Sequence, residues 1–535
     1  NSGGTPTGAN ITFSNTISGA RVLTLNGGSS GVVTMTGAVG GVPLTSLTIT
    51  NAATITQTST VTTVGGISYT GAAINLNNNL TSNTPSTITM TGPVSLTGPV
   101  VVNGSALAFS STINGGQALT LTGTSTVAMS GAVGNSVALS SLTVSGTTIT
   151  QSSSAKATGA ISYNGSVGIS LGGNVVTSGA TIGMTGAVTL AGNVLADTTN
   201  GATVPAGSGV TFSSTINGGQ SLTVTAGTGG TLALSGAVGG TTPLTSLTAT
   251  ASTITQSSTV QTSGAVSYTA PTLINLFNNL TTSGGAIGMT GQVTLSGTVI
   301  ADTTNAAAAG ANITFSSTVS GAQALTLKGG TGGIVTLTGV VGGTPLTSLT
   351  ITSASTITQT STVTTTGAIA YTGSAINLNN NLTSTTPSTI TMTGPVTLTN
   401  PVTLNGSALT FSSTVDGGQP LTLTATGTST LSGAVGGITP LANLSFTNPN
   451  AISIGSSITV TGANTLTFPG AVTLTGTSVI TSNNANINFN STLGGAQSLT
   501  IAGGSGTTTF TGAVGTLSSL SVSRRNHHPD LDGDN

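Results

Sequence analysis

Ile67-Ser68-Tyr69, Ile74-Asn75-Leu76, Ile88-Thr89-Met90, Val94-Ser95-Leu96 and Leu107-Ala108-Phe109 follow one another with only a few residues between them. Each places large apolar or aromatic residues on either side of a small or polar one. That is the two-residue period of a strand with one buried face. Gly, Asn and Pro fill the gaps, and β-branched residues are common in the segments, as strands and turns require. Moving outward, Val22-Leu23-Thr24-Leu25, Val32-Val33-Thr34-Met35 and Leu47-Thr48-Ile49-Thr50 read the same way. No window has helical periodicity. The chain is predicted to be all-β.

The segments belong to a long repeat. Ile11-Thr12-Phe13-Ser14 recurs around Phe109, Phe212, Phe315, Phe411 and Phe489, at spacings of 96, 103, 103, 96 and 78. Gly37-Ala38-Val39-Gly40 returns as Gly131-Ala132-Val133-Gly134, as Gly236-Ala237-Val238-Gly239 and as Gly512-Ala513-Val514-Gly515, and a Met-Thr-Gly triplet begins at Met90, Met184, Met289 and Met392. From each of the first four Phe anchors to the Gly of that triplet the distance is 79, 77, 79 and 79 residues, whereas the remaining connection measures 17, 26, 24 and 17. A fixed core therefore alternates with one connection that accepts insertions. The inserted stretches, which open with Ala196-Asp197-Thr198-Thr199-Asn200 and Ala301-Asp302-Thr303-Thr304-Asn305, are expected to protrude as loops. The short last interval reads as the loss of a small unit.

Two architectures accommodate units of this size. Tandem Ig-like β-sandwiches match the repeat length, but the chain has no Trp for such a core and no linker between units. An elongated parallel β-helix, or β-solenoid, fits better, because each coil buries its apolar ladder only against its neighbours. At roughly 20 residues per coil, about 25 coils rising ~4.8 Å each are expected. The predicted organisation is a solenoid over residues 1–523, about five and a half repeats, followed by a charged non-repeat tail, 524–535.

Composition narrows the function. Of 535 residues, five are Lys or Arg and six are Asp or Glu, none of the six being Glu, and there is no Cys. Nothing can neutralise a nucleic-acid backbone, and disulfide scaffolds and thiolate metal sites are excluded. Disorder goes with low hydropathy and high net charge, and this chain has neither. No apolar run reaches the roughly 18 residues of a spanning helix, and the aromatic girdles of an outer-membrane barrel are missing. The start, Asn1-Ser2-Gly3-Gly4, shows no signal-peptide pattern. Residues 1–523 hold three acidic and three basic residues in different repeats, and no His precedes His527, so a Ser-His-Asp triad in the repeats is impossible. The chain is expected not to be an enzyme, to have no catalytic residues and to bind no cofactor within the repeats.

Gly236-Ala237-Val238-Gly239-Gly240 followed by Pro243-Leu244-Thr245-Ser246-Leu247, and Ile313-Thr314-Phe315-Ser316-Ser317-Thr318-Val319 followed by Gly321-Ala322-Gln323-Ala324-Leu325-Thr326-Leu327, resemble the repeats of large bacterial exoproteins of the filamentous haemagglutinin type, exported by two-partner secretion. The resemblance covers nearly all of residues 1–523. It implies a right-handed parallel β-helix displayed on a bacterial surface, with adhesion or biofilm roles. The secretion domain of that family is not recognisable in this chain.

Candidate sites are few. Asp197 and Asp302 open corresponding loops, where an Asx-turn competes with calcium or ligand contact. Asp416 stands in the turn that carries Asn114 and Asn217 in other repeats, and Arg21, Lys156 and Lys328 are read as isolated surface charges. Thr pairs such as Thr34-Met35-Thr36, Thr48-Ile49-Thr50 and Thr356-Ile357-Thr358 suggest an ice-binding face, but they fall at irregular sequence offsets, and β-propensity explains them as well. Asn79-Leu80-Thr81, Asn279-Leu280-Thr281 and Asn381-Leu382-Thr383 are glycosylation sequons. In the tail, Asp530, Asp532 and Asp534 have the alternating hard-oxygen spacing of a calcium loop that lacks its last carboxylate. The function read from all this is a secreted or cell-surface structural repeat protein, an adhesin stalk or a self-assembling extracellular fibre. Its alternative is a glycan-binding adhesin surface, with an ice-binding solenoid behind both. The partners expected are other copies of the chain, end to end or laterally, and a host or neighbouring cell surface, without nucleic acid or membrane insertion.

Overall fold

A computed structural model describes residues 7–523, apart from positions 85, 307, 308 and 387. It divides the chain into two compact units, Asn1–Ile274 and Asn275–Asn535, and each is described by itself. Both consist of short strands, with no helix among the described residues. The strands wind as a parallel β-solenoid, about 24 turns in the two units together. Parallel pairing rules out the Ig-like alternative, whose sheets are antiparallel. One single-residue bridge, Ser178 to Thr199, is antiparallel.

In the first unit each strand lies beside the strand about twenty residues on, so three ladders run along the coil. The first ladder joins Phe13, Met35, Gln57, Leu76 and Leu96. The second joins Leu80, Val102, Leu121, Val144, Tyr163, Met184, Phe212, Leu234 and Gln256. The third joins Leu25, Ile49, Tyr69, Met90, Phe109, Met129, Gln151, Leu171 and Leu190. Every residue on these rungs points inward, and nearly all are fully buried, so the core is three columns of stacked side chains. Thr, Ser and Asn alternate with them and face out, as the two-residue period requires.

The repeat and the coil are out of step. Before the chain returns to the next Phe strand, Ala106–Phe109, the first repeat supplies eleven strands. Val22–Met35 and Ser46–Gln57 each turn a corner and serve two faces, and Ile17 adds a single bridge. That makes fourteen strand positions against three per turn, four turns and two strands over. Each repeat therefore begins one face away from the last: Phe13, Phe109 and Phe212 lie on the first, third and second ladders respectively.

The second unit obeys the same rule. Phe315 pairs with Leu337 and Phe411 with Leu431, on two different ladders. The third ladder joins Leu382, Leu404, Leu423 and Phe446. It continues through Phe468, Phe489 and Phe510. Phe489 is the anchor of the last repeat. Phe510-Thr511-Gly512-Ala513-Val514-Gly515 follows it as Met35-Thr36-Gly37-Ala38-Val39-Gly40 follows Phe13. Phe489 pairs with Phe510 as Phe13 pairs with Met35, and Leu493 bridges to Val514 as Ile17 does to Val39. From Phe13 the ladder reaches Leu96 in four steps, whereas from Phe411 it reaches the equivalent Leu474 in three, through Leu431 and Ile454. The interval of 78 residues before Phe489 is therefore one coil shorter than the others.

The sequence signatures are corner geometry. Gly134 and Gly239, each the last residue of its Gly-Ala-Val-Gly motif, have a positive φ, 68° and 71°. A Cβ on either would lie 2.0 Å from a carbonyl of the next coil. Gly131 and Gly236, the first residues of the motifs, sit so close to the preceding coil that a Cβ would approach its backbone to 2.3 Å. Only glycine fits both.

Candidate functional site

The charged residues are dispersed, and no group of three His, Asp or Glu able to hold a metal occurs among the described residues. Asp197 ends the strand Val194–Asp197 and is 3 % exposed. Its Oδ1 accepts from the Thr199 amide and hydroxyl, both at 2.6 Å, and its Oδ2 from the Gly201 amide at 2.7 Å. This is an Asx-turn, and Asn200 at φ 51° completes the reversal. The buried Thr198 hydroxyl closes the neck of the loop, accepting from the Ser208 amide at 2.9 Å. The base of the insertion is thus part of the core, and only its tip protrudes.

Asp302 is built alike, accepting from the Thr304 amide at 2.8 Å and its hydroxyl at 2.6 Å. It also meets Lys328, its register partner on the next coil, with 3.4 Å between Oδ2 and Nζ. Lys328 is therefore not the isolated charge its sequence neighbours suggest. Burial alone would raise the Asp302 pKa, but the Thr304 hydrogen bonds and the Lys328 ammonium outweigh it and hold the carboxyl below its ordinary value.

Asp416 is a corner residue. Its Oδ1 accepts from the amides of Ile438 at 2.8 Å and Thr439 at 3.1 Å on the next coil. Asn114 does the same for Ser136 and Val137, and Asn217 for Thr241 and Thr242. The three sequon asparagines share a second corner. The Oδ1 atoms of Asn79, Asn279 and Asn381 each accept, at 2.8 Å, from the amides of Val101, Ile300 and Thr403 respectively. At the Asn79 corner, Asn77, Pro99, Val101 and Thr120 line an open cavity of about 450 Å³.

The outward Thr residues stack better than their sequence offsets suggest. Thr12, Thr34 and Thr56 are consecutive rungs, followed by Asn75, Ser95 and Asn114. The corners absorb the unequal spacing. In the next repeat the corresponding rungs are Ala108, Ala128, Thr150, Ser170 and Thr189, and they lie on another face. A companion column, Thr36 and Thr97, donates to carbonyls of the preceding coil. No face of the first unit therefore carries an unbroken Thr plate.

Sequence reasoning missed the buried polar pairs. Gln57 and Tyr69, Gln151 and Tyr163, Gln256 and Tyr268, and Gln359 and Tyr371 are each twelve residues apart. Each pair comes from two faces of one coil, and all eight side chains are fully buried. The Tyr163 hydroxyl donates to Gln151 Oε1 at 2.5 Å, and that of Tyr268 to Gln256 Oε1 at 3.2 Å. Burial raises the pKa of all four phenols. The constant spacing was the available signal. Asp530, Asp532 and Asp534 lie outside the described residues.

Compared with known protein families, curated proteins and solved structures, the chain finds no match in any of the three. The fold defines its class, a parallel β-solenoid repeat protein. The haemagglutinin resemblance rests on the quoted motifs.

Proposed function

We propose that this chain is the shaft of a secreted or cell-surface repeat protein of a bacterium, a stalk or self-assembling fibre of the filamentous haemagglutinin kind, with a mechanical and non-catalytic role. The observation that carries the reading is the mismatch between repeat and coil. Fourteen strands on a three-faced coil send each repeat's loops and hydroxyl ladders to a new face, so no side accumulates one chemistry. A catalytic or ice-binding plate needs the opposite. Continuous parallel ladders suit a spacer whose length scales with the number of repeats. The near absence of charge also removes the repulsion that keeps copies apart. The Asn-lined corner cavity favours, as a second reading, contact with a neutral glycan.

The test is display of the chain on a bacterial surface with a terminal tag, beside a version lacking residues 109–211. The shortened chain should bring the tag closer by ~22 Å, from four and two-thirds turns at ~4.8 Å. An unchanged distance would sink the stalk. Electron microscopy of purified chain should show filaments longer than one molecule. Single particles at every concentration would sink self-assembly, and binding on a neutral-glycan array would favour the second reading.

A further inference from the structure

The apolar ladders pose a specificity problem. Val, Leu and Ile stack equally well on the next coil or the one beyond, so aliphatic contacts alone fix register weakly. We infer that the buried Gln–Tyr pair is a register lock, set once per repeat, and that it closes in all four repeats that carry it.

The Gln side chain reaches in three directions. Gln151 Nε2 donates to Ser153 O at 2.7 Å in its own corner, and to Gly173 O at 3.1 Å and Asn174 O at 3.2 Å in the corner of the next coil. Its Oε1 takes the Tyr163 hydroxyl. Gln57 Nε2 likewise reaches Ser59 O at 2.6 Å and Asn78 O at 3.0 Å, and Gln359 Nε2 bonds Ser361 O and Asn380 O. One side chain thus fastens a corner to the corner after it and to the opposite face. A coil that slips loses these acceptors while the amide stays buried, and a buried unsatisfied amide is strongly disfavoured. Buried polar groups that set registry are well attested in coiled coils.

Two observations extend the lock beyond the drawn bonds. Gln57 Oε1 and Tyr69 OH are both buried without a partner, as are Gln359 Oε1 and Tyr371 OH. In each coil one orphan is an acceptor and the other a donor, so a single hydrogen bond satisfies both. The repeat that opens at Phe411 has lost the two together. Counted in rungs from Phe411, the places of Gln57 and Tyr69 fall to Ile454 and Phe468, in a repeat that is one coil short. Removing both partners costs little, whereas removing one leaves a buried orphan.

The chain has no Cys, so introduced pairs report register cleanly. Thr143 and Ser162 are exposed partners on adjacent coils, and Ser162 pairs in turn with Gly183. Gly183 has room for a side chain. In native register T143C/S162C lies within disulfide reach, while T143C/G183C spans two coils, ~9.6 Å, which is too far. Adding Q151L and Y163F, the apolar solution the Phe411 repeat already uses, should leave the chain folded and raise the T143C/G183C disulfide at least tenfold. No rise would overturn the lock. Hydrogen exchange of the coil's amides tests the pairing. Y163F should speed it at least about threefold more in the wild-type background than beside Q151L, the coupling expected of contacting residues. The same coupling is expected for Y69F with Q57L and for Y371F with Q359L, and equal effects in both backgrounds would overturn the pairing at that repeat.

Discussion

Counted in rungs from the Phe that opens each repeat, the coil that holds Gln151 and Tyr163 and the coil that holds Ile454 and Phe468 occupy the same place. The first closes its interior with a hydrogen bond between two faces. The second fills it with hydrocarbon, and its aromatic residue joins a column of rings. Phe468 stacks on Phe489 at 4.8 Å between centroids, and Phe489 on Phe510 at 5.1 Å. Burial is complete in both interiors. The polar coil gains directional bonds at the risk of costly orphans, and the aromatic one gains packing without direction. Burial alone does not require the Gln–Tyr pair; what the pair adds is direction.

The largest effect should come from the aromatic side. Phe489→Ala removes the middle ring and should cost about 3–5 kcal/mol, read as a lowered urea midpoint for the second unit. Phe489→Met, which keeps most of the volume without the ring, should cost less than about 1.5 kcal/mol. Equal losses would mean that ring stacking, and not volume, holds that coil. Next come single exchanges across the comparison. Tyr163→Phe orphans the Gln151 Oε1 acceptor, Phe468→Tyr buries a donor beside Ile454, and each should cost about 1–3 kcal/mol. I454Q together with F468Y should recover much of the second loss. If it does not, the corner of the Phe411 repeat has diverged too far to accept the pair.

The corners should respond less. Asn217→Ala frees two amides on the next coil and should cost roughly 1 kcal/mol by thermal unfolding, while Asn217→Asp should be nearly silent, because Asp416 already does this work. The smallest effect belongs to Asp302 and Lys328. The folded pKa of Asp302 lies below the ordinary carboxyl value. Its contribution is therefore complete above the unfolded pKa and is lost as pH falls through the folded one. Lys328 is partly exposed, so Lys328→Met should change stability at pH 7 by a few tenths of a kcal/mol, and less in high salt. A larger loss would mean that the pair anchors the inserted loop.

Much of this was legible in the residues. Alternation in Ile74-Asn75-Leu76 and its companions shows which side chains face in, because a strand admits no other period. The Asp416 turn was readable from Asn114 and Asn217. The pairing of Asp302 with Lys328 was not, since those residues are 26 positions apart and meet only because one coil has that length. Thr offsets that look irregular in sequence align on the ladder because corners of different length return the chain to the same register.

By itself the sequence determined the all-β character, the solenoid over the sandwich and the poverty of charge. Those follow from periodicity and composition, which are local. Only the tertiary structure decided that a repeat spans fourteen strands on a three-strand turn, that each repeat turns to a new face, and that Gln and Tyr meet across the core. Those depend on how many strands close a coil, and closure is a property of the wound chain that no single segment carries.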